Sequence, residues 1–306
     1  MIAALDIGAT AVKAGLVSPE CELVVTRERL VPAGQDAKKF LDFILRTVRS
    51  MLEHSDASAL TAVGAGSCGV IREGSILYSP NTAWKSLPLR EALQARLQVP
   101  VAVMNDADAF GLGVYHYELK GKYRGVCALT LGSGLGGSLI GPNGAVAGFT
   151  GISPEIGHMK VRAGGPKCKC GGRGCLEAYV GKKAIITAYR RYGGKADVAT
   201  PQDVFDAYKR GDEAAIRAFA NMGFYLGVGI ANIFNLCAPQ AVVLGGGVSR
   251  AAPAFMPALR ESLADSVLKG LGGPPRVVVS KLRHRANLLG AAHQAMRLQE
   301  AGTVLE

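Results

Sequence analysis

The sequence predicts an α/β fold, in which short apolar strands alternate with amphipathic helices. Three observations carry this prediction. Residues 3–5 and 14–17 are apolar runs on either side of a glycine-containing turn, which indicates two neighbouring strands. Apolar side chains recur at helical spacing from Phe40 to Leu52. Residues 101–104 indicate a buried strand that runs directly into a helix from about residue 107.

The remaining elements continue the alternation. Residues 61–65 predict another short strand, and residues 87–97 predict a helix that ends before Pro100. Residues 218–249 contain no charged side chain, which invites a transmembrane interpretation. Asn232 and Asn235 interrupt this stretch and Pro239 breaks it, so we predict a buried helix, then a buried strand at 241–244, and no membrane insertion.

Composition limits the function classes. A chain of 306 residues with 49% hydrophobic and 19% charged residues is long and apolar enough for one or two globular domains. Seven cysteines without a secretory leader indicate a reducing compartment, and hence the cytoplasm. The net charge of +11 could indicate a nucleic-acid partner, but the basic residues are scattered and no aromatic residues interleave them. We therefore predict no nucleic-acid partner and a field that attracts an anionic co-substrate such as a nucleotide.

Three apolar strands lead into glycine-rich turns. Exposed backbone amides in such turns bind phosphate, and a neighbouring hydroxyl adds a donor. The first two turns follow similar strand pairs about 120 residues apart, which indicates two related halves. Two dinucleotide-type glycine patterns are each followed by a strand rather than a helix, and no P-loop motif is present. The three turns contain Asp6, Gly8 and Thr10; Gly132, Ser133 and Gly134; and Gly245, Gly246 and Gly247.

One histidine and three cysteines lie within eighteen residues: His158, Cys168, Cys170 and Cys175. This set fills the four positions of a tetrahedral zinc ion and leaves none for substrate, which is typical of a structural site. The intervening glycines cannot form a helix or a core, so the metal would order the loop. Chance proximity, or a disulfide with a spare thiol, is the alternative interpretation. An ordered loop would fix Glu155 and Glu177, which flank it.

Asn105 and Asp106 stand where the strand 101–104 ends and the next helix begins. This is the carboxyl edge at which open α/β sheets bind ligands. Asp106 could simply cap the helix. Capping and proton transfer are compatible, because a helix N-terminus keeps a carboxylate ionised.

Taken together, these segments resemble the motifs of the ROK family of sugar kinases and sugar-responsive repressors. The resemblance covers nearly the whole chain, and its most specific part is the E-x-G-H motif followed by the cysteine-rich run. The matching segments are Asp6-Ile7-Gly8-Ala9-Thr10 with Lys13 and Gly15, Asn105-Asp106-Ala107, residues 131–137, residues 155–159, residues 168–179 and residues 244–249.

This resemblance implies an actin-like ATPase fold, with two ribonuclease-H-like α/β lobes, an interlobe cleft and a structural zinc loop. It places residues 1–109 and 288–306 in an N-terminal lobe and residues 110–287 in a larger C-terminal lobe that carries the zinc loop. A homodimer is also implied.

Residue by residue, the resemblance implies that Asp106 is the general base that takes a proton from the 6-hydroxyl of a hexose, with glucose as the expected sugar. A hexose-specific site needs several fixed carboxylate and amide groups. The implied sugar ligands are Asn81, Asn105, Asp106, Glu155, His158 and Glu177. The implied ATP-binding residues are Asp6, Gly8, Thr10, Lys13, Gly132, Ser133, Gly134, Gly245, Gly246 and Gly247, with Mg²⁺ near Asp6 through water.

Three departures from the family pattern leave the reacting groups in place: Ala9 bears on nucleotide affinity and the choice of phosphoryl donor, and Pro154 and Cys68 bear on the shape of the sugar pocket. Ala9 replaces a usual glycine in the first turn, Pro154 stands before Glu155 where glycine is common, and Cys68 occupies part of an expected Pro-Gly pair.

Alternative functions are a kinase for mannose, fructose, allose or an N-acetylated hexosamine, and a silent sugar sensor. Repressors of the family carry an N-terminal helix-turn-helix, for which we expect no room before Asp6.

Overall fold

A computed structural model describes residues 1–32, 36–53, 60–79 and 85–303. The chain divides into two compact units, one formed by Met1–Lys122, Leu139–Pro154 and His284–Glu306 and the other by Tyr123–Ser138 and Glu155–Arg283. These units keep residues 110–122 and 139–154 with the N-terminal part, whereas the predicted lobes divide the sequence at 109/110 and 287/288. The predicted lobe boundaries stay a prediction.

The described elements alternate between strands and helices, as the apolar pattern predicts. In chain order they are β1 (Ile2–Ile7), β2 (Ala11–Val17), β3 (Leu23–Leu30), α1 (Ala37–Glu53), β4 (Ala62–Ser67), β5 (Val70–Arg72), β6 (Ser75–Tyr78), β7 (Lys85–Leu87), α2 (Leu89–Leu97), β8 (Val101–Asn105), α3 (Asp106–Gly113), β9 (Val126–Leu131), β10 (Leu135–Gly141), β11 (Gly144–Ala145), α4 (Glu177–Val180), α5 (Lys182–Arg191), α6 (Pro201–Lys209), α7 (Glu213–Cys237), β12 (Ala241–Gly245), α8 (Ala252–Ser266), β13 (Arg276–Val279) and α9 (Arg285–Thr303).

The first unit is built on a five-stranded sheet in the order β3-β2-β1-β4-β8. β1 pairs antiparallel with β2, and parallel with β4, which in turn runs parallel to β8. The apolar face of α1 is buried on this sheet, as its helical spacing predicts, and Phe40, Ile44 and Val48 are fully buried there with Leu5 of β1. A three-stranded sheet, β5-β6-β7, extends this unit.

The C-terminal helix α9 packs closely against α3 within the first unit. A Cβ at Gly290 would lie 1.8 Å from the Ala109 carbonyl oxygen, so only glycine permits this approach. The Asn287 amide of α9 donates to the Asp106 carbonyl oxygen at 3.2 Å. The helix therefore supports the start of α3 directly.

The second unit includes parallel pairing of β12 with β9 and with β13. The sheet to which these strands belong has the order β11-β10-β9-β12-β13.

Within the described part of the chain, α7 is the one helix long and apolar enough to cross a membrane. However, 61% of its most apolar window is buried inside the protein, as expected for a core helix, and β12 follows it as predicted.

Candidate active site

The first group of predicted site residues lies at the carboxyl edge of the first sheet. The register pairs Ile7 with Ser67 and Ser67 with Asn105, so the three parallel strands end level with one another. Asp6 and Asp106 therefore lie at the same edge. Ligands of open α/β sheets bind at this edge, as the sequence interpretation assumed.

Asn105, rather than Asp106, caps α3. Its side-chain Oδ1 accepts a hydrogen bond from the Ala107 backbone N–H at 2.8 Å, and its Nδ2 donates to the Gly69 carbonyl at 3.0 Å. The alternative interpretation of Asp106 as the cap is therefore wrong. Asp106 is the first residue of α3, where the helix dipole favours a carboxylate. The Asn105 amide keeps a second N–H donor for a ligand.

Asp6 lies opposite Lys13 in the β1–β2 register. Burial raises the pKa of Asp6 to about 6, and the Lys13 ammonium offsets only part of this effect. Burial, reinforced by the charge of Asp106, also raises the pKa of the neighbouring Cys68 thiol to about 11. The thiol is thus neutral, and the carboxylates provide the negative charge at this edge. The turn after β1 is closed by the Gly8 N–H, which donates to the Ala11 carbonyl at 3.0 Å.

The second and third glycine turns lie at neighbouring strand ends in the second unit. Thr130 of β9 pairs with Gly245 of β12, so the turns that follow are adjacent. The Lys182 N–H at the start of α5 donates to the Gly132 carbonyl at 3.1 Å. Gly246 has φ +80°, and a Cβ there would lie 2.3 Å from the Leu131 carbonyl oxygen. Among the described residues, no atom comes within 4 Å of a Cβ built at Gly132, whose own N–H donates to the Gly134 carbonyl at 3.0 Å.

The predicted metal ligands converge. The ligand atoms of His158, Cys168, Cys170 and Cys175 all lie within 4.8 Å of one another. Cys168 Sγ is 3.7 Å from His158 Nδ1, and Cys170 Sγ is 3.6 Å from Cys175 Sγ. A tetrahedral zinc ion would separate sulfur and nitrogen donors by about 3.5–3.8 Å. The donor set therefore fits zinc, and all seven cysteines are free of disulfides.

The zinc loop, residues 158–176, has little regular structure of its own. The short 3₁₀ turn Ile156–His158 leads into the loop, which contains two isolated bridges, Lys160 with Cys175 and Lys167 with Arg173. Lys160, which the sequence interpretation missed, has its Nζ 2.7 Å from Cys175 Sγ, and this contact raises the pKa of Lys160.

His158 uses its two ring nitrogens on different sides. Nδ1 faces the cysteines, whereas Nε2 lies 3.9 Å from Glu155 Oε2. The side chains of His158 and Glu155 are 35% and 50% exposed, so both remain accessible to a ligand. Partial burial raises the pKa of Glu155, against the opposing effect of His158.

Glu177 connects the zinc loop to the second glycine turn. Its Oε1 lies 3.5 Å from Cys168 Sγ, and its Oε2 accepts a hydrogen bond from the Leu135 N–H at 3.0 Å. A Cβ at Gly134 would lie 2.1 Å from Glu177 Oε2, so Gly134 serves the approach of this carboxylate. No local sequence signal reveals this contact, because it joins residues more than 40 positions apart.

The predicted site residues fall into two groups, one in each unit. Asp6, Gly8, Thr10, Lys13, Asn105 and Asp106 belong to the first unit, and Gly132, Ser133, Gly134, Glu155, His158, Glu177, Gly245, Gly246 and Gly247 belong to the second. Asn81, the remaining predicted sugar ligand, lies outside the described residues.

Comparisons with known proteins agree with the motif-based resemblance. The ROK family profile matches residues 2–297. The glucokinase of Thermotoga maritima is 34% identical over 305 residues, which cover 94% of this chain and 95% of that protein. The xylose repressor of Bacillus subtilis is 28% identical and is matched over 94% of this chain and 74% of the repressor.

A solved structure agrees over the same length. The ROK family glucokinase from Streptomyces griseus, in complex with glucose and AMPPNP, superposes with a TM-score of 0.83 at 29% identity, covering 97% of this chain and 99% of that chain. The fold is thus the two-lobe, actin-like ATPase fold of these sugar kinases.

Proposed function

Because this chain belongs to the ROK family, we propose that it is an ATP-dependent hexose kinase that transfers the γ-phosphate to the 6-hydroxyl of a hexose, with glucose as the preferred sugar. The observation that carries the proposal is the position of Asp106 as the first residue of α3, beside the cap Asn105 at a sheet edge. The similarity of this chain to two glucokinases, from Thermotoga maritima and Streptomyces griseus, supports the same reaction.

In this proposal, Asp106 acts as the general base. Its carboxylate accepts the proton of the 6-hydroxyl while that oxygen forms a bond to the γ-phosphorus and the bond from phosphorus to ADP breaks. Phosphoryl transfer depends mainly on positioning and charge neutralisation, so the base adds a factor of about 10² to 10⁴. The helix N-terminus keeps Asp106 ionised for this purpose.

The other polar side chains bind the remaining sugar hydroxyls. Glu155 and His158 Nε2 form an adjacent acceptor and donor pair, and Glu177 offers carboxylate lone pairs beyond the Leu135 hydrogen bond. Asn105 contributes its second amide N–H. Asn81 completes the proposed set.

The glycine turns and Asp6 bind the nucleotide. Gly8, Thr10, Gly132, Ser133 and Gly134 lie along the phosphates, Lys13 neutralises charge, and Gly245, Gly246 and Gly247 lie along the adenosine. Asp6 would hold Mg²⁺ through water, and the ion would supply neutralisation of the β- and γ-phosphate charge. The buried carboxyl group of Asp6, opposite Lys13, fits a role near Mg²⁺, because carboxylate oxygens are ligands that Mg²⁺ prefers.

His158, Cys168, Cys170 and Cys175 hold a structural Zn²⁺ in this proposal. The ion supplies order to a loop that has little regular structure, because closed Cys₃His sites stabilise folding rather than react. Ordering the loop positions His158, which belongs to this set, and Glu177, whose Oε1 lies 3.5 Å from Cys168 Sγ. We further propose a cytoplasmic homodimer whose partners are hexose and ATP, with no nucleic acid and no membrane.

A turnover assay across sugars tests the proposal. Glucose, mannose, fructose, allose and N-acetylated hexosamines are each supplied with Mg²⁺ and ATP, and ADP release is measured. We expect glucose-dependent ADP release that exceeds the rate with each other sugar. The similarity to a xylose repressor favours one alternative, a sugar sensor. A sensor would bind sugar, with a calorimetric signal, and release no ADP with any of them.

A further inference from the structure

A buried carboxyl group on α3 has no part in the proposed phosphoryl transfer. Asp108 is the third residue of α3, two positions after Asp106, and it is 6% exposed. Removing a carboxyl group from water costs free energy unless hydrogen bonds compensate for the lost hydration. The contacts of Asp108 therefore indicate what the fold gains from it.

Asp108 contacts a loop that is distant in the chain. The Ser153 hydroxyl donates a hydrogen bond to Asp108 Oδ2, across 45 positions of sequence. Both residues belong to the first unit, and Ser153 is half-buried. This hydrogen bond ties the loop 146–153 to α3.

The loop 146–153 is mostly exposed. Its first residue is held by β10, because the Val146 N–H donates to the Leu139 carbonyl at 2.8 Å. Residues 145–151 are all exposed to solvent. Burial thus contributes little to the position of this loop, and the hydrogen bond to Asp108 anchors its end.

The chain continues from this anchor directly to a proposed sugar ligand. Pro154 follows Ser153, and its ring fixes one backbone dihedral angle. Glu155 comes next and is the first residue of the second unit. Two residues span at most about 7 Å, so the position of Ser153 limits that of Glu155. One hydrogen bond thus joins the helix that carries Asp106 to the segment that carries a sugar ligand.

We propose that Asp108 and Ser153 are positioning residues for hexose binding, because their hydrogen bond holds the segment that places Glu155. This inference rests on the proposed role of Glu155 as a sugar ligand. A purely structural role, in which Asp108 only stabilises the N-terminal turn of α3, makes a different prediction. Such a role affects the stability of the fold and leaves the KM for the sugar unchanged.

The test measures steady-state kinetics with glucose and ATP on the full chain. Ser153→Ala removes the donor, and we expect the KM for glucose to rise at least fivefold. The kcat and the KM for ATP should stay within twofold of the wild type, as expected when binding is lost that the ground state and the transition state share. Ser153→Thr keeps a hydroxyl group and should restore the wild-type KM. Thr150→Ala, which removes an exposed hydroxyl group from the same loop, is the matched control and should change nothing.

A double-mutant cycle tests whether the two residues act through one hydrogen bond. Asp108→Ala alone and Asp108→Ala/Ser153→Ala should raise the KM for glucose by the same factor, because either substitution removes the bond. Effects that multiply in the double variant would overturn the proposal. So would an unchanged KM for glucose in Ser153→Ala with a lowered Tm, or an equal rise of that KM in Thr150→Ala.

Hydrogen exchange separates this inference from the proposed function. The amides of Ser153, Glu155 and Ile156 should exchange at least fivefold faster in Ser153→Ala than in the wild type and in Thr150→Ala. This comparison needs no turnover. A wild-type protein that phosphorylates no hexose would therefore overturn the proposed function, while the exchange rates still decide the anchoring role. Unchanged exchange in Ser153→Ala would overturn that role.

Discussion

At the scale of single residues, Asp106 places a carboxyl group at the first position of α3. Replacing it by asparagine keeps its size and leaves the Asn105 cap in place, so α3 should still form. We expect Asp106→Asn to lower kcat by a factor of about 10² to 10⁴ because the proton acceptor is lost. The Kd for the sugar should change only a few-fold, as measured by calorimetry.

The matched control is Asp265→Asn, which makes the same chemical change on an exposed face of α8. It should leave kcat unchanged. If Asp106→Asn kept half of the wild-type kcat, Asp106 would not be the base.

The raised pKa of Asp6 predicts that the free energy of unfolding depends on pH in the protein free of metal and nucleotide. Its pKa is about 6 in the folded state and 3.8 in the reference state, so the folded protein holds a proton between these values that the unfolded chain releases. The free energy of unfolding should therefore fall as pH rises from about 4 to 6, by up to about 3 kcal/mol.

The variant Asp6→Asn tests this, because an amide mimics the protonated form. Urea denaturation at pH 4, 5, 6 and 7 should show the variant more stable than the wild type at pH 7 and equal to it near pH 4. A variant that is less stable at pH 7 would show that the Asp6 carboxylate is favourably placed without its ligands.

At the scale of structural elements, we expect the order of the loop 158–176 to depend on a bound zinc ion more than on its own backbone hydrogen bonds. We expect one zinc per wild-type chain by metal analysis. Cys170→Ser should lose that zinc, lower the Tm and weaken sugar binding together, because His158 and Glu177 contact the same donor set. Cys237→Ser, at an exposed cysteine on α7, should keep the zinc and the affinity. Full zinc content in Cys170→Ser would contradict the assigned ligand set.

The docking of α9 on α3 makes a second prediction at this scale. Gly290→Ala would place a methyl group 1.8 Å from the Ala109 carbonyl oxygen, so the helices must separate. We expect a loss of about 1–3 kcal/mol in the free energy of unfolding. Gly302→Ala, on the same helix with open space around it, should be neutral or stabilising by up to about 1 kcal/mol. Equal effects of the two substitutions in urea denaturation would show that the contact is not tight.

At the scale of the whole molecule, the sequence predicts the elements and sites that local patterns encode. The strand pair β1–β2, the junction of β8 with α3, and the buried helix α7 follow from periodicity and from turn residues. The cluster of His158, Cys168, Cys170 and Cys175 follows from spacing, because four thiol or imidazole donors within eighteen residues are typical of a metal site.

The structural features that the sequence does not predict depend on contacts between segments that are distant in the chain. β3 is mostly exposed and contains Arg27, Glu28 and Arg29, so it lacks an apolar pattern. Asn105 and Asp106 are both good caps, and only the Ala107 hydrogen bond decides between them. The contact of Glu177 with Leu135 forms only when the chain folds. The start of α6 is predictable from the sequence, because Thr200 and Asp203 have the spacing of the capping box that they form.

The central claim is that this ROK family member phosphorylates a hexose at its 6-hydroxyl. The most direct measurement is ³¹P and ¹³C NMR of the wild-type protein incubated with glucose, ATP and Mg²⁺. The account predicts accumulation of glucose 6-phosphate with one ADP formed for each molecule of product. Recovery of unchanged glucose despite saturable sugar binding, or phosphate on a different hydroxyl, would contradict it.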